Sequence, residues 1–205
     1  MSSSGGRWPA GDPVLGLPAG TSIVELTITL AIVGLCAAMS APALAGAADA
    51  GRAREAAQFL ASACRSARMQ ALTQQRTTSL VFDLRDGHWL MRRCVDGNGN
   101  GMRRAEMASG RDTCADAVAL ETLFSGVRLD VPAGLPDPDG GAATTDAVRF
   151  GSSDIASFTS LGTASAGTAY VRSSNGAQYA VRVAGATGRA RVLQFEPATR
   201  KWREI

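Results

Sequence analysis

A single charged side chain interrupts the one membrane-length apolar run of this sequence. Thr21-Ser22-Ile23-Val24 leads into Glu25, and no further charge occurs from Leu26 to Ala48. The run after Glu25 covers about 23 residues, roughly 35 Å as a helix, enough to cross a hydrocarbon core of about 30 Å. A carboxylate inside a bilayer costs on the order of 3 kcal/mol, so it ordinarily has a partner. A cleaved secretory signal is a poorer reading. Ala41-Pro42-Ala43-Leu44-Ala45 has the small-residue spacing of a cut site, but Arg7 is the only basic residue ahead of the run and Glu25 would fall in the apolar centre of the signal. A plain anchor with an incidental, snorkelling Glu25 is the bland alternative.

The order Gly20-Thr21-Ser22-Ile23-Val24-Glu25-Leu26, continued by Thr27–Gly34, resembles the processing site and N-terminal helix of type IV pilins and type II secretion pseudopilins. The resemblance implies a prepilin leader over 1–20. It implies cleavage by a prepilin peptidase after Gly20 and methylation of the new N-terminus at Thr21. It implies a transmembrane helix segment over 21–48 in the bacterial inner membrane, a periplasmic domain over 49–205, and other pilins or pseudopilins as partners. Pro42 matches a helix-kinking proline common in that family. In this reading the Glu25 carboxylate meets the free amine of Thr21 on a neighbouring subunit. That pairing neutralises two charges and sets the axial step of a filament.

Beyond the apolar run, Ala53, Ala56, Ala57, Leu60, Cys64, Ala67 and Ala71 recur at helical spacing, and Arg52, Arg65, Arg68 and Arg76 lie off that stripe. A second helical stretch is expected over Asp49–Gln75, its small residues suited to close packing on a sheet. From Thr78 the pattern shifts to strands. Ser79–Leu84 and His88–Arg92 flank Asp86-Gly87; Ala119–Phe124 and Val127–Val131 flank Ser125-Gly126; Thr168–Arg172 and Gln178–Val183 flank Asn175-Gly176, read as a type I′ turn. Ala147–Phe150 and Arg189–Phe195 are further strands, and Pro132–Thr145 is a loop. The expected class is α+β. A long N-terminal helix, transmembrane in its first half and amphipathic in its second, packs on antiparallel sheet in a pilin-like arrangement.

The net charge of +3 is unevenly spread. Residues 168–205 carry seven Lys/Arg (Arg172, Arg182, Arg189, Arg191, Arg200, Lys201, Arg203) against Glu196 and Glu204, whereas residues 78–150 carry eight Arg against eleven acids. Phe158-Thr159-Ser160-Leu161-Gly162-Thr163-Ala164, a strand-turn-strand, and then Gly188-Arg189-Ala190-Arg191 resemble the GspH/FimT group of minor pilins and pseudopilins. In FimT-type proteins the Gly-Arg-x-Arg element takes part in binding DNA during natural transformation, so the resemblance assigns double-stranded DNA to Gly188, Arg189 and Arg191. Alternate residues of a strand share a side, about 7 Å apart, close to the per-strand phosphate spacing. Arg172, Arg182, Arg200, Lys201 and Arg203 are candidates to widen the patch. The alternative inside the group is a secretion pseudopilin with protein cargo, and the bland reading is a solvated arginine face.

Cys36 lies in the apolar run and Cys64 on the apolar stripe. Cys94 and Cys114 flank a Gly/Arg/Asp-rich loop and are the natural disulfide in an oxidising compartment, although the spacing leaves a bond to Cys64 open. Inside that loop, Asp96-Gly97-Asn98-Gly99-Asn100-Gly101 places oxygen side chains at every second position and Gly at the sixth, as in a calcium loop. Asp96, Asn98, Asn100 and Glu106 are the candidate ligands. Glu106 falls one place early, Met107 holds the usual spot, and Arg103 and Arg104 add unfavourable charge. A plain Asn/Gly turn is the competing reading, and a membrane-anchored calcium module unrelated to filaments is the corresponding functional alternative. His88 is the only histidine, and no nucleophile constellation, phosphate loop or zinc spacing occurs. The expectation is a non-enzymatic subunit without an obligatory cofactor.

Overall fold

A computed structural model describes residues 22–205. The leader, Gly20 and Thr21 lie outside the described residues. Helix α1 spans Ile23–Gln74. It is followed by β1 (Thr78–Arg85), β2 (His88–Val95), α2 (Arg104–Ala108), β3 (Thr113–Cys114), β4 (Val118–Ala119), α3 (Leu120–Leu123) and β5 (Val127–Leu129). Then come β6 (Val148–Arg149), β7 (Ile155–Phe158), β8 (Gly167–Ser173), β9 (Gln178–Val183), β10 (Ala190–Glu196) and β11 (Lys201–Glu204). The layout is α+β, an apolar N-terminal helix followed by antiparallel sheets.

Contacts divide the chain into two compact units, to Pro42 and from Ala43. In the first, Ser22 opens α1: its hydroxyl accepts the Val24 N–H at 3.3 Å and its carbonyl the Leu26 N–H at 3.0 Å. Glu25 stands in the first turn, where a carboxylate faces the positive end of the helix dipole. Ile23, Val24, Leu26, Ile28, Leu30 and Ile32 are all exposed. Among the described residues this is the one helix long and apolar enough to cross a membrane.

In the second unit the Ala53–Ala71 stripe is buried, each member at most 1 % exposed, and Ala61 belongs to it as well. Alanines let a helix axis come close to a sheet without leaving voids. The stripe shares one core with Leu80 and Phe82 of β1 and with Val181, Val183 and Val192 of β9 and β10. Phe82 stacks on Phe150 at 5.7 Å between ring centroids. The helix ends before Gln75, which takes the left-handed conformation (φ 54°) usually left to glycine, while its side-chain amide donates to the Leu72 carbonyl at 2.9 Å.

Two sheets are formed rather than one. The first has the order β3-β2-β1-β7 with β4 also on β2; the second has β11-β10-β9-β8-β5 with β6 also on β8. The far side of the first carries Val81, Cys94 and Ile155, covered by Met102 and Met107 of the segment after β2. The far side of the second is covered by the 130–147 loop, where Trp202 Nε1 donates to the Pro136 carbonyl at 2.8 Å.

One expected strand and one expected turn type change, and two strands are added. Leu120–Leu123 is a helical turn: Leu120 alone is buried, and the Thr122 hydroxyl donates to the Ala119 carbonyl. Asn175-Gly176 is not type I′. Gly176 is left-handed (φ 89°) but Asn175 is not; the Asn175 side chain donates to the Gly46 carbonyl at 2.7 Å. Ile155–Phe158 and Lys201–Glu204 are strands that periodicity did not flag; each is only four residues long. Asp86-Gly87 does adopt two positive φ values, 51° and 81°, and joins β1 to β2 in register.

Burial pushes the Cys64 thiol up to about 12. A thiol this far from ionising is inert. We expect iodoacetamide at pH 8 to leave Cys64 unlabelled in the folded chain and to label it after unfolding, as read by peptide mapping. Labelling at equal rates in both states would contradict this burial.

Candidate functional site

Arg189 and Arg191 stand at the start of β10 on the side of the sheet that carries Glu204. Arg189 Nη2 lies 3.7 Å from Glu204 Oε1 and Arg191 Nη1 lies 3.4 Å from Glu204 Oε2. Both guanidiniums therefore reach one carboxylate, which places them together as the two-residue strand period requires. Their side chains are 73 % and 41 % exposed, so these pairs are solvent-screened and worth about 0–1 kcal/mol each. An incoming anion can displace Glu204 at little cost.

The groove they line has a volume of about 690 Å³, and Arg65 and Arg68 of α1 are among its other lining residues. Four arginines and one glutamate thus line it. Gly188 explains how the walls meet. Its φ is +61°, and a Cβ in its place would sit 2.9 Å from Arg68 Cδ and 2.9 Å from the Gly162 carbonyl oxygen. The Thr159–Thr163 turn, Gly188 and Arg68 are therefore packed on one another. Arg68 Nε is buried there without an acceptor, so its charge is held in the groove wall with unspent hydrogen-bonding capacity.

Of the basic residues expected to widen the patch, Arg172 is bound to Asp130 at 2.9 Å, Arg182 to Asp139, and Arg203 to Glu196 at 2.8 Å. Arg200 donates to the Gly134 carbonyl at 3.2 Å. Burial opposes ionisation of Asp130, but the bonds from Arg172 and Arg128 outweigh it and hold its carboxyl below the ordinary value. These cations are structural partners of the 130–147 loop and of the last hairpin, and none of them lines the groove. The residues that do, Arg65 and Arg68, were visible only as basic positions off the apolar stripe. Their three-residue spacing was the available signal.

Cys94 and Cys114 form a disulfide between directly opposed residues of β2 and β3; Cys64 is free. The intervening loop folds around Asp96, which is fully buried. Asp96 Oδ1 accepts the N–H groups of Asn98 (3.1 Å) and Gly99 (2.7 Å), and Oδ2 that of Gly101 (2.7 Å). Asn98 and Asn100 donate to Glu106 Oε1 at 3.3 and 2.8 Å. The four candidate ligands are thus neighbours. Arg104 is turned away, bonded to Asp83 and to the Phe82 and Ser153 carbonyls. Among the described residues no three Asp, Glu, His or Cys side chains already stand at ion-holding separation. His88 is exposed, its Nδ1 3.6 Å from Glu121 Oε1.

Compared with protein-family models, with curated proteins and with solved structures, the chain matches none.

Proposed function

We propose that this chain is a membrane-anchored minor subunit of the type IV pilin class, of the GspH/FimT group, which binds the DNA backbone through Arg189 and Arg191. The observation that carries the reading is the groove lined by Arg189, Arg191, Arg65 and Arg68, in which Arg189 and Arg191 share a single, solvent-exposed carboxylate, Glu204. Support for the anchor comes from the exposed apolar face of α1, with Glu25 in its first turn as the docking charge toward a neighbour. The protein acts by binding and assembly, not by catalysis. The cluster contacts phosphates and reads no bases, so affinity falls steeply with salt.

Gel shifts of the full chain in detergent with a random-sequence duplex test this. Replacing Arg189 and Arg191 together by Ala is expected to weaken binding at least about tenfold near 50 mM salt and to lower the log–log salt slope by about two. Glu204→Gln is expected to strengthen binding, since it removes the carboxylate that competes with phosphate. Unchanged affinity in the double variant would remove the DNA assignment and leave a secretion-type pseudopilin with protein cargo.

A further inference from the structure

The Cys94–Cys114 loop contains two carboxylate oxygens that its own hydrogen bonds do not satisfy. Asp112 is 3 % exposed; its Oδ1 accepts the Gly97 N–H at 3.1 Å, and its Oδ2 is buried with no partner. Asp112 lies outside the Asp/Asn/Gly motif, yet the chain brings it back against the first residues of that motif, where its N–H also reaches the Glu106 carbonyl at 3.4 Å. Glu106 repeats the pattern: Oε1 is used by both asparagine amides, while Oε2 is buried without a partner. A buried carboxylate oxygen with no donor is costly, and this one segment holds two of them. A cation removes that cost.

We propose that the segment from Asp96 to Asp112 binds one calcium ion. Asp96, Asn98, Asn100 and Glu106 are the ligands, and Asp112 is the buried acid that balances its charge. The ligand set is oxygen only and mixes carboxylate with amide, which suits the flexible, high-coordination sphere of calcium over the small rigid octahedron of magnesium. The seventh loop place, Met102, is where such loops supply a backbone carbonyl. Gly101 at the sixth place has a φ of +91°, the sharp turn that position needs. Binding turns the Asn98 and Asn100 amides so that their oxygens, not their nitrogens, face the Glu106 carboxylate and the ion between them. Of the nearby guanidiniums, Arg104 is committed to Asp83, and Arg76 is bonded to the Gly97 carbonyl at 2.8 Å.

Isothermal titration of calcium chloride into the full chain in detergent, first stripped with a chelator, tests the proposal. The expected result is saturable one-site binding with a dissociation constant between about 10⁻⁵ and 10⁻³ M. Glu106→Gln and Asp112→Asn should each weaken it at least about tenfold, the change expected when one anionic charge leaves the site. Asn98 and Asn100 are exposed, so Asn100→Ala keeps the fold and should weaken binding as well. No saturable heat up to about 10 mM calcium, above the range of even weak extracellular sites, would overturn the proposal. So would undiminished binding in Asn100→Ala, or equal binding of magnesium.

Discussion

Replacing Cys94 and Cys114 together by alanine should lower the unfolding free energy by about 3 kcal/mol, the chain-entropy value for closing a loop of this length. The sequence separation of the pair is 20 residues. For a chain of this size about 3 kcal/mol corresponds to a fall in melting temperature of roughly 6–12 °C. Alanine is the right replacement because Cys94 is fully buried against Val81 and Ile155, where a serine hydroxyl would add a penalty of its own. Loss should be local before it is global. Hydrogen exchange between Asp96 and Thr113 should accelerate first, since that segment holds few apolar anchors beyond Met102 and Met107. Wild-type protein treated with a reductant should melt at the same lowered temperature. If the reduced and oxidised forms melt together, the bridge contributes nothing to the folded state.

Gly188→Val should cost about 2–4 kcal/mol and weaken the arginine groove at the same time. Two terms add. A β-branched residue at a φ of +61° is strained by about 1–3 kcal/mol. Its Cβ also enters space held by Arg68 Cδ and the Gly162 carbonyl. The two neighbours respond differently, and this makes the prediction sharp. Arg68 can swing away; the Gly162 carbonyl is backbone in a turn closed by the Thr159–Thr163 hydrogen bond and cannot. Arg68→Ala in the Gly188→Val background should therefore recover part of the loss, giving a positive coupling in a double-mutant cycle, but not all of it. Strict additivity would mean that Arg68 does not pass over Gly188. Denaturant unfolding of the four proteins measures this directly.

These two cases show what kind of information each level holds. The cysteine pair was readable because a single segment carries both thiols around a polar loop, and opposed positions of β2 and β3 bring them into register. The Gly-Arg-x-Arg element was readable as two arginines on one side of a strand. Why it begins with glycine was not. In sequence Gly188 was only the first residue of the element that the resemblance assigns to DNA; in the fold it makes room for a residue 120 positions earlier. Three of the seven C-terminal cations are engaged elsewhere for a similar reason. Asp130, Asp139 and Glu196 meet Arg172, Arg182 and Arg203 through loop placement and strand register, and no local pattern announces such pairings.

What the sequence determined alone is the part governed by short-range periodicity and chain covalency. This comprises the apolar run with Glu25 in its first turn, the small-residue stripe of the helix, the Asp86-Gly87 hairpin, and the spacing of Arg189 and Arg191. Tertiary structure decided the division into two sheets, the helical turn at Leu120–Leu123, and the entry of Arg65 and Arg68 into the groove that Arg189 and Arg191 line. It also decided the return of Asp112 onto the Asp96 loop. Each of those depends on which surfaces remain to be buried once the helix stripe is covered, and on which charges are then left facing one another. That outcome is a property of the packed chain as a whole, since burial and pairing energies act between residues that no window along the sequence contains.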